Sequence, residues 1–232
     1  MTTRITLISD THTKHGLIKP TIDMPGGDLL LHAGDIMNSG YNKNDIKDFC
    51  HWYNSLEHYN HKVFIAGNHD RTFEDSPDVA KQIYYSYHKI NYLQDEWIEV
   101  DGIKIYGTPW QPEFYNWAFN LPKGGHELMS KWKAIPEDTD ILITHVPPQE
   151  ILDVSGPPYN EPLLGCALLR ERVDVIKPKI HVFGHIHGSY GYKFKNGTHF
   201  FNASILNEDY NYTNRPVTFD WDPETNEIVF VI

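Results

Sequence analysis

Five short apolar runs in this 232-residue chain each end at side chains able to ligate a metal. Residues 5–9 lead into Asp10-Thr11-His12, residues 29–32 into Gly34-Asp35, and residues 63–66 into Gly67-Asn68-His69-Asp70. Further on, residues 141–144 lead into His145, and residues 181–183 into Gly184-His185-Ile186-His187. Together these supply two carboxylates (Asp10, Asp35), one amide oxygen (Asn68) and four imidazoles (His12, His145, His185, His187). Oxygen and nitrogen donors without a thiolate suit hard or borderline divalent ions, and seven exceed what one transition ion takes up. They therefore point to two ions sharing a bridging carboxylate. Asp10 and His12 stand two apart, as do His185 and His187, so on an extended backbone each pair faces one side. The glycines before Asp35, Asn68 and His185 allow sharp turns close to a ligand.

The elements that must position these residues follow from the hydropathy pattern. The five runs are continuously apolar, as central strands buried on both faces are, and in open α/β sheets ligands bind at the carboxyl edge. Amphipathic stretches alternate with them, the pattern of a βα-alternating fold. Helices are expected over 44–56, with Asn44 as its cap, over 77–87, with Pro77 at the first helical position, over 124–133, and over 163–176, stopping before Pro178. Asp101-Gly102 and Asn196-Gly197 predict hairpins pairing 97–100 with 103–106 and 190–195 with 198–201. A third pairs 217–221 with 228–232. The expected fold is a single α/β domain over residues 1–232, a βα-type mixed-sheet sandwich with parallel strands early and antiparallel strands late. Its metal site lies at the carboxyl ends of the strands.

Composition removes several classes. With 31 acidic against 20 basic residues the net charge is −11, so no nucleic-acid polymer is expected as partner. No apolar run is long enough to span a bilayer, so no membrane partner is expected. No secretory leader is legible and the two cysteines, Cys50 and Cys166, are expected as buried thiols, which places the protein in the cytoplasm. A monomer or a homodimer fits.

The ordered blocks D-x-H, G-D, G-N-H-D, H and G-H-x-H resemble those of the calcineurin-like metallophosphoesterase superfamily. The stretches LLLHAGD, VFIAGNH, YGTPWQPEFYNWAFNLP, DILITHVPP and HVFGHIHGSYG, followed by NAS, resemble its metallophosphoesterase-domain-containing, brain-protein-239-like branch. This similarity runs from about residue 5 to about residue 221. It implies that Asp10, His12 and His187 hold one metal, that Asp35 bridges, and that Asn68, His145 and His185 complete a second. The ions implied are two divalent ones, Mn before Fe, Zn, Mg or a mixed pair. His69 would sit beside the phosphoryl group as a general acid or a stabiliser of developing charge. The implied chemistry is attack on phosphorus by a hydroxide bridging the metals, on a small phosphate ester such as a cyclic nucleotide. A phosphodiesterase is the leading reading; a phosphomonoesterase and a weakly active metal- or nucleotide-binding protein are its alternatives.

Protein Ser/Thr phosphatases carry G-D-x-x-D-R-G at the second block, whereas here Asn38 and Ser39 stand in place of the acid and the arginine. That argues against the protein-phosphatase subgroup and removes a usual partner of His69, for which Asp70 is the nearest substitute. Trp110 and Arg170 are further candidates for contacting substrate, with Phe114 and Trp117 in the same aromatic loop. His32 and His181 are expected in the core beside the ligands, and His15, His51, His58, His61, His88, His126 and His199 at the surface or in loops.

Overall fold

A strand covered on both faces is apolar along most of its length, and the computed structural model, which describes residues 2–157 and 160–231, shows what covers them. The chain runs through β1 (Thr3–Ile8), α1 (Pro20–Asp23), β2 (Gly27–His32), α2 (Lys43–Ser55), β3 (Tyr59–Phe64), α3 (Arg71–Asp75), α4 (Pro77–Tyr84) and β4 (Asn91–Tyr92). It continues through β5 (Glu96–Val100), β6 (Ile103–Thr108), β7 (Gln111–Pro112), β8 (Asn120–Leu121), α5 (His126–Lys133), β9 (Ile141–Thr144), α6 (Ala167–Ile176) and β10 (Ile180–Phe183). Four strands close it: β11 (Gly191–Lys195), β12 (Thr198–Asn202), β13 (Val217–Asp222) and β14 (Glu227–Phe230).

Twelve of the strands form the two six-stranded sheets of the expected sandwich, ordered β14-β13-β1-β2-β3-β4 and β11-β12-β10-β9-β6-β5, and β7 and β8 pair with each other as a separate two-stranded sheet. Each sheet is mixed. Its parallel centre (β1, β2, β3 and β4; β6, β9, β10 and β12) is flanked by antiparallel hairpin strands. Alternate residues of one strand feed different cores. Ile5, Leu7, Leu29, Leu31, Ile141 and Ile143 pack between the sheets. Ile8, Leu30 and Phe64 face outward onto Ile46, Phe49, Cys50 and Tyr53 of α2, whose spacing is one helical stripe. On the opposite side Leu142 and Phe183 meet Leu128 and Trp132 of α5 and Leu169 and Val173 of α6. The layers are therefore helix, sheet, sheet, helix. Cys50 and Cys166 are free and buried.

Several element boundaries depart from expectation for local reasons. The cap of α2 is Asn42, whose side chain accepts the Asn44 amide, so Asn44 is already inside the helix. After Tyr84 the backbone tightens into three-residue turns (Ser86 to Ile83, Tyr87 to Tyr84), which end α4 early. α5 starts at His126. α6 starts at Ala167, capped by the Cys166 sulfur; Leu163 and Leu164 belong to the preceding loop, with Leu163 at a left-handed φ of 60°. The three hairpins pair as expected, except that Ile232 lies outside the described residues. No helix among the described residues is long and apolar enough to cross a membrane.

Candidate metal centre

All five predicted loop segments meet at one end of the sandwich. β1, β2 and β3 deliver Asp10, His12, Asp35 and Asn68 from one sheet, and β9 and β10 deliver His145, His185 and His187 from the other. The site therefore straddles two sheets. Convergence does not come from an extended backbone, as the two-residue spacing suggested. Asp10, His12, Asp35 and His185 all adopt left-handed φ values, 54°, 41°, 58° and 68°, uncommon for residues with a Cβ. The kinks are held by neighbouring strands: Asp10 N donates to Gly34 O and His12 N to Asp35 O, both at 2.9 Å. Gly34 has the left-handed φ of 98° that the predicted turn needs. Gly184 serves otherwise, since a Cβ there would run into the carboxylate of Asp10 and the side chain of Ser9.

The ligand atoms of Asp10, His12 and His187 lie within 4.8 Å of one another, as do those of Asp10, Asp35 and His145, and of His12, Asp35 and His69. Asp35 Oδ2 stands 3.6 Å from His12 Nε2 and 3.2 Å from His145 Nε2, between the two halves. Asp10 Oδ1 is 3.4 Å from His187 Nε2. The Asn68 amide oxygen is 2.9 Å from His145 Nε2 and 2.7 Å from His185 Nδ1.

Backbone carbonyls fix which ring nitrogen points inward. His12 Nδ1 donates to Met37 O (3.1 Å), His145 Nδ1 to Ala33 O (2.9 Å) and His187 Nδ1 to Asn207 O (3.0 Å), which turns three Nε2 atoms toward the carboxylates. Carbonyls carry no sequence signal, so these partners were not legible beforehand. Ser204, in the NAS segment, donates to Asp10 Oδ2 at 2.7 Å. Asn202 binds Ile186 O at 2.8 Å and steadies the loop carrying His185 and His187. Tyr210, also unforeseen, packs its ring 4.8 Å from that of His12 and 5.1 Å from that of His187.

The electrostatics are those of two anions among imidazoles. Burial opposes ionisation of Asp10, but His187 and His145 outweigh it and hold the carboxyl low. Burial likewise opposes ionisation of Asp35, and His145, His69 and His12 depress it well below the ordinary range. Burial works against a proton on His145, yet Asp35 and Asp10 raise it to about 9. Burial lowers His12 to about 4 and His185 to about 3. The donor set fits divalent ions: both carboxylates are buried, and His12 Nε2 is buried with no hydrogen-bond partner among the described atoms. The same carboxylates that raise His145 and His187 would be balanced by cations held there.

His69 lies at the rim, half-buried. Its backbone N–H donates to Asp35 Oδ1 (2.7 Å) and its Nδ1 to the Asn38 carbonyl. The neighbouring Asp70 does not orient it. Asp70 is buried and accepts from the amides of Gly67, Met37 and Ile36, at 2.7, 2.8 and 3.2 Å. Burial and then the Asp35 charge push its carboxyl up to about 8, against those three amides.

Of the remaining candidates, Trp110 and Arg170 line neither cavity beside His69. Trp110 donates its indole N–H to Asp95 at 2.8 Å under the Lys131 ammonium, and Arg170 is paired with Asp174 at 2.8 Å and bonded to Gln149 O. Phe114 and Trp117 of the same aromatic segment do line a cavity beside His69. His32 and His181 are buried as expected and bond threonines adjacent in sequence to candidate ligands: His32 Nε2 donates to Thr11 Oγ1 (3.0 Å) and His181 Nε2 to Thr144 Oγ1 (2.9 Å). His15 and His199 are buried, contrary to the surface placement: His15 packs on Trp52 and pairs with Asp48, and His199 bonds Tyr192 and Asn226 O.

Paired buried carboxylates ringed by imidazoles, at the carboxyl ends of two facing sheets, define a metallophosphoesterase-type centre. Residues 3–189, which take in every candidate ligand from Asp10 to His187, match the calcineurin-like phosphoesterase family, and the chain belongs to that family. It is 40% identical over 239 residues to the human metallophosphoesterase domain-containing protein 1, covering 94% of this chain and 71% of that protein. It is 38% identical over 224 residues to the UPF0046 protein T07D4.2 of Caenorhabditis elegans, covering 85% of this chain and 55% of that one. The fold is also that of TT1561 from Thermus thermophilus, with a TM-score of 0.66 at 14% identity over 100% of this chain and 99% of that chain.

Proposed function

We propose that the chain, read as one domain over residues 1–232, is a metal-dependent phosphodiesterase of small diesters, cyclic nucleotides among them. In this reading Asp10, His12 and His187 would hold one divalent ion and Asn68, His145 and His185 the second, with Asp35 placed to serve both and manganese the first choice. Two such ions neutralise the phosphoryl oxygens and lower the pKa of water for in-line displacement. The protein supplies the rest. The carbonyls of Met37, Ala33 and Asn207 engage Nδ1 of three imidazoles and so turn their Nε2 atoms inward. The Asn38 carbonyl holds His69 Nδ1, leaving Nε2 to give a proton to the departing ester oxygen. Water adds to phosphorus, one P–O ester bond breaks, and a monoester and an alcohol leave. The two free, buried cysteines fit a reducing compartment such as the cytoplasm.

The observation that carries the diester reading is the charge of the cleft beside the centre. Its lining has one lysine, Lys123, against Glu113, Glu161 and Glu208, and no arginine. A monoester dianion needs cationic groups beyond the metals; a diester monoanion presents half that charge to the same glutamates. The test compares bis(p-nitrophenyl) phosphate with p-nitrophenyl phosphate on metal-stripped protein, with and without Mn²⁺. Metal-dependent turnover of the diester, at least tenfold above the monoester and lost in Asp35→Asn, is expected. Preference for the monoester would replace this reading with a phosphatase, and two bound metals without turnover of either would make it a binding protein.

A further inference from the structure

The cleft at the metal centre has a neighbour of different chemistry. A cavity of about 390 Å³ opens from Asp35, Asn68 and His185 toward Leu163 and Leu164. A second, of about 640 Å³, lies beyond His69 and is lined by Tyr41, Tyr115, Trp117, Arg71 and Asn116. The two share His69, Phe114 and Tyr210, so they meet at the rim of the metal centre. Phe114 stands between them, its ring 4.6 Å from that of Tyr115 and 6.2 Å from that of His185.

Their linings sort different groups. The first carries Glu113, Glu161 and Glu208, whereas among the described residues no carboxylate lines the second. There the Arg71 guanidinium is fixed in place, one N–H on the Asn116 carbonyl and Asp75 3.5 Å away. Tyr41 and Tyr115 are 68% and 80% exposed, so their ring faces are open to a planar partner rather than packed in the core. Aromatic faces beside a guanidinium are a stacking platform for a π-ring such as a nucleobase.

A diester with phosphorus at the metal centre has two ester arms to place, and two cavities meet at the rim of that centre, on His69, Phe114 and Tyr210. A 3′,5′-cyclic nucleotide has both ester oxygens on one ribose and so extends into one of them. Resting on the diester reading above, we infer that the second cavity is a subsite for the second arm of a linear phosphodiester. The preferred substrate class is then a diester with a planar ring in each arm, such as two nucleosides joined by one phosphate, ahead of cyclic nucleotides.

Two substrate pairs test this on the Mn²⁺-loaded protein. Bis(p-nitrophenyl) phosphate and methyl p-nitrophenyl phosphate share a leaving group and differ only in the second arm; adenylyl-adenosine and 3′,5′-cyclic AMP differ in linearity. The expected result is a higher kcat/KM for the two-ringed member of each pair. In the double variant Tyr41→Ala/Tyr115→Ala the ratio of bis-aryl to methyl-aryl kcat/KM should fall about tenfold, the scale of losing ring stacking, chiefly through KM. Both positions are exposed, so circular dichroism and the melting temperature should match wild type. Turnover of diesters with an unchanged ratio, or with cyclic AMP ahead of the dinucleotide, overturns the subsite and leaves the diesterase standing. No turnover of any diester overturns both.

Discussion

The indole of Trp117 lies stacked on the imidazole of His69, ring centroids 4.0 Å apart and planes 28° from parallel. With the Asn38 carbonyl on Nδ1, this contact holds the ring's tilt, while Asp70 is engaged by three amides. The ring's other neighbours, His12 and Tyr210, meet it edge-on at 4.6 and 6.4 Å.

If Trp117 positions the proton donor, its removal should matter in proportion to how much the leaving oxygen needs a proton. Trp117→Ala is expected to lower kcat about tenfold on an alkyl diester and by less than twofold on a p-nitrophenyl ester. Trp117→Phe should restore most of the loss. Equal losses on both leaving groups would show that the indole only packs the loop.

Asp70 is predicted to be a structural carboxyl. Asp70→Ala leaves the amides of Gly67, Ile36 and Met37 without their acceptor, at about 1–3 kcal/mol for each that stays buried and unpaired. Urea unfolding should show a midpoint lowered by about 3 kcal/mol of stability with the slope retained. A midpoint within error of wild type would contradict this.

Ser204 should tune the metal without touching it. Its hydroxyl orients Asp10 from the side away from the imidazoles, so Ser204→Ala should weaken divalent-ion affinity about tenfold or more. Metal content after dialysis against graded chelator measures this directly, independent of turnover. Unaltered retention in a folded variant would remove Ser204 from the site.

His181 predicts a pH effect on stability. Burial lowers it from 6.5 to about 3, so the folded protein keeps it neutral while the unfolded chain takes up a proton below about pH 6.5. Its contribution is full above pH 6.5 and is lost progressively as pH falls toward 3, at up to about 1.36 kcal/mol per pH unit. His181→Gln, which keeps a donor for Thr144, should flatten the stability curve between about pH 6 and pH 4 by about that slope. Parallel curves for the two proteins would refute the assignment.

The loops that carry the candidate ligands were legible in the sequence because strands buried on both faces are mostly apolar. The residue types that follow each of the five strands are chemically unsuited to a core. Asp10, His12, Asp35, Asn68, His145, His185 and His187 could be picked out by type and place alone, and hairpins at Asp101-Gly102 and Asn196-Gly197 by turn chemistry. Tertiary structure decided what depends on approach through space. It put the five strands in two sheets, turned Asp10, His12, Asp35 and His185 through left-handed kinks, and chose backbone carbonyls to orient the imidazoles of His12, His145 and His187. It drew Trp110 away to Asp95 and laid Trp117 on His69, although both sit in one aromatic segment. The physical reason is the range of the forces. Hydropathy and turn preference act over a few neighbouring residues and leave a periodic trace, whereas a carbonyl or a ring arriving from 31 or 48 residues away leaves none.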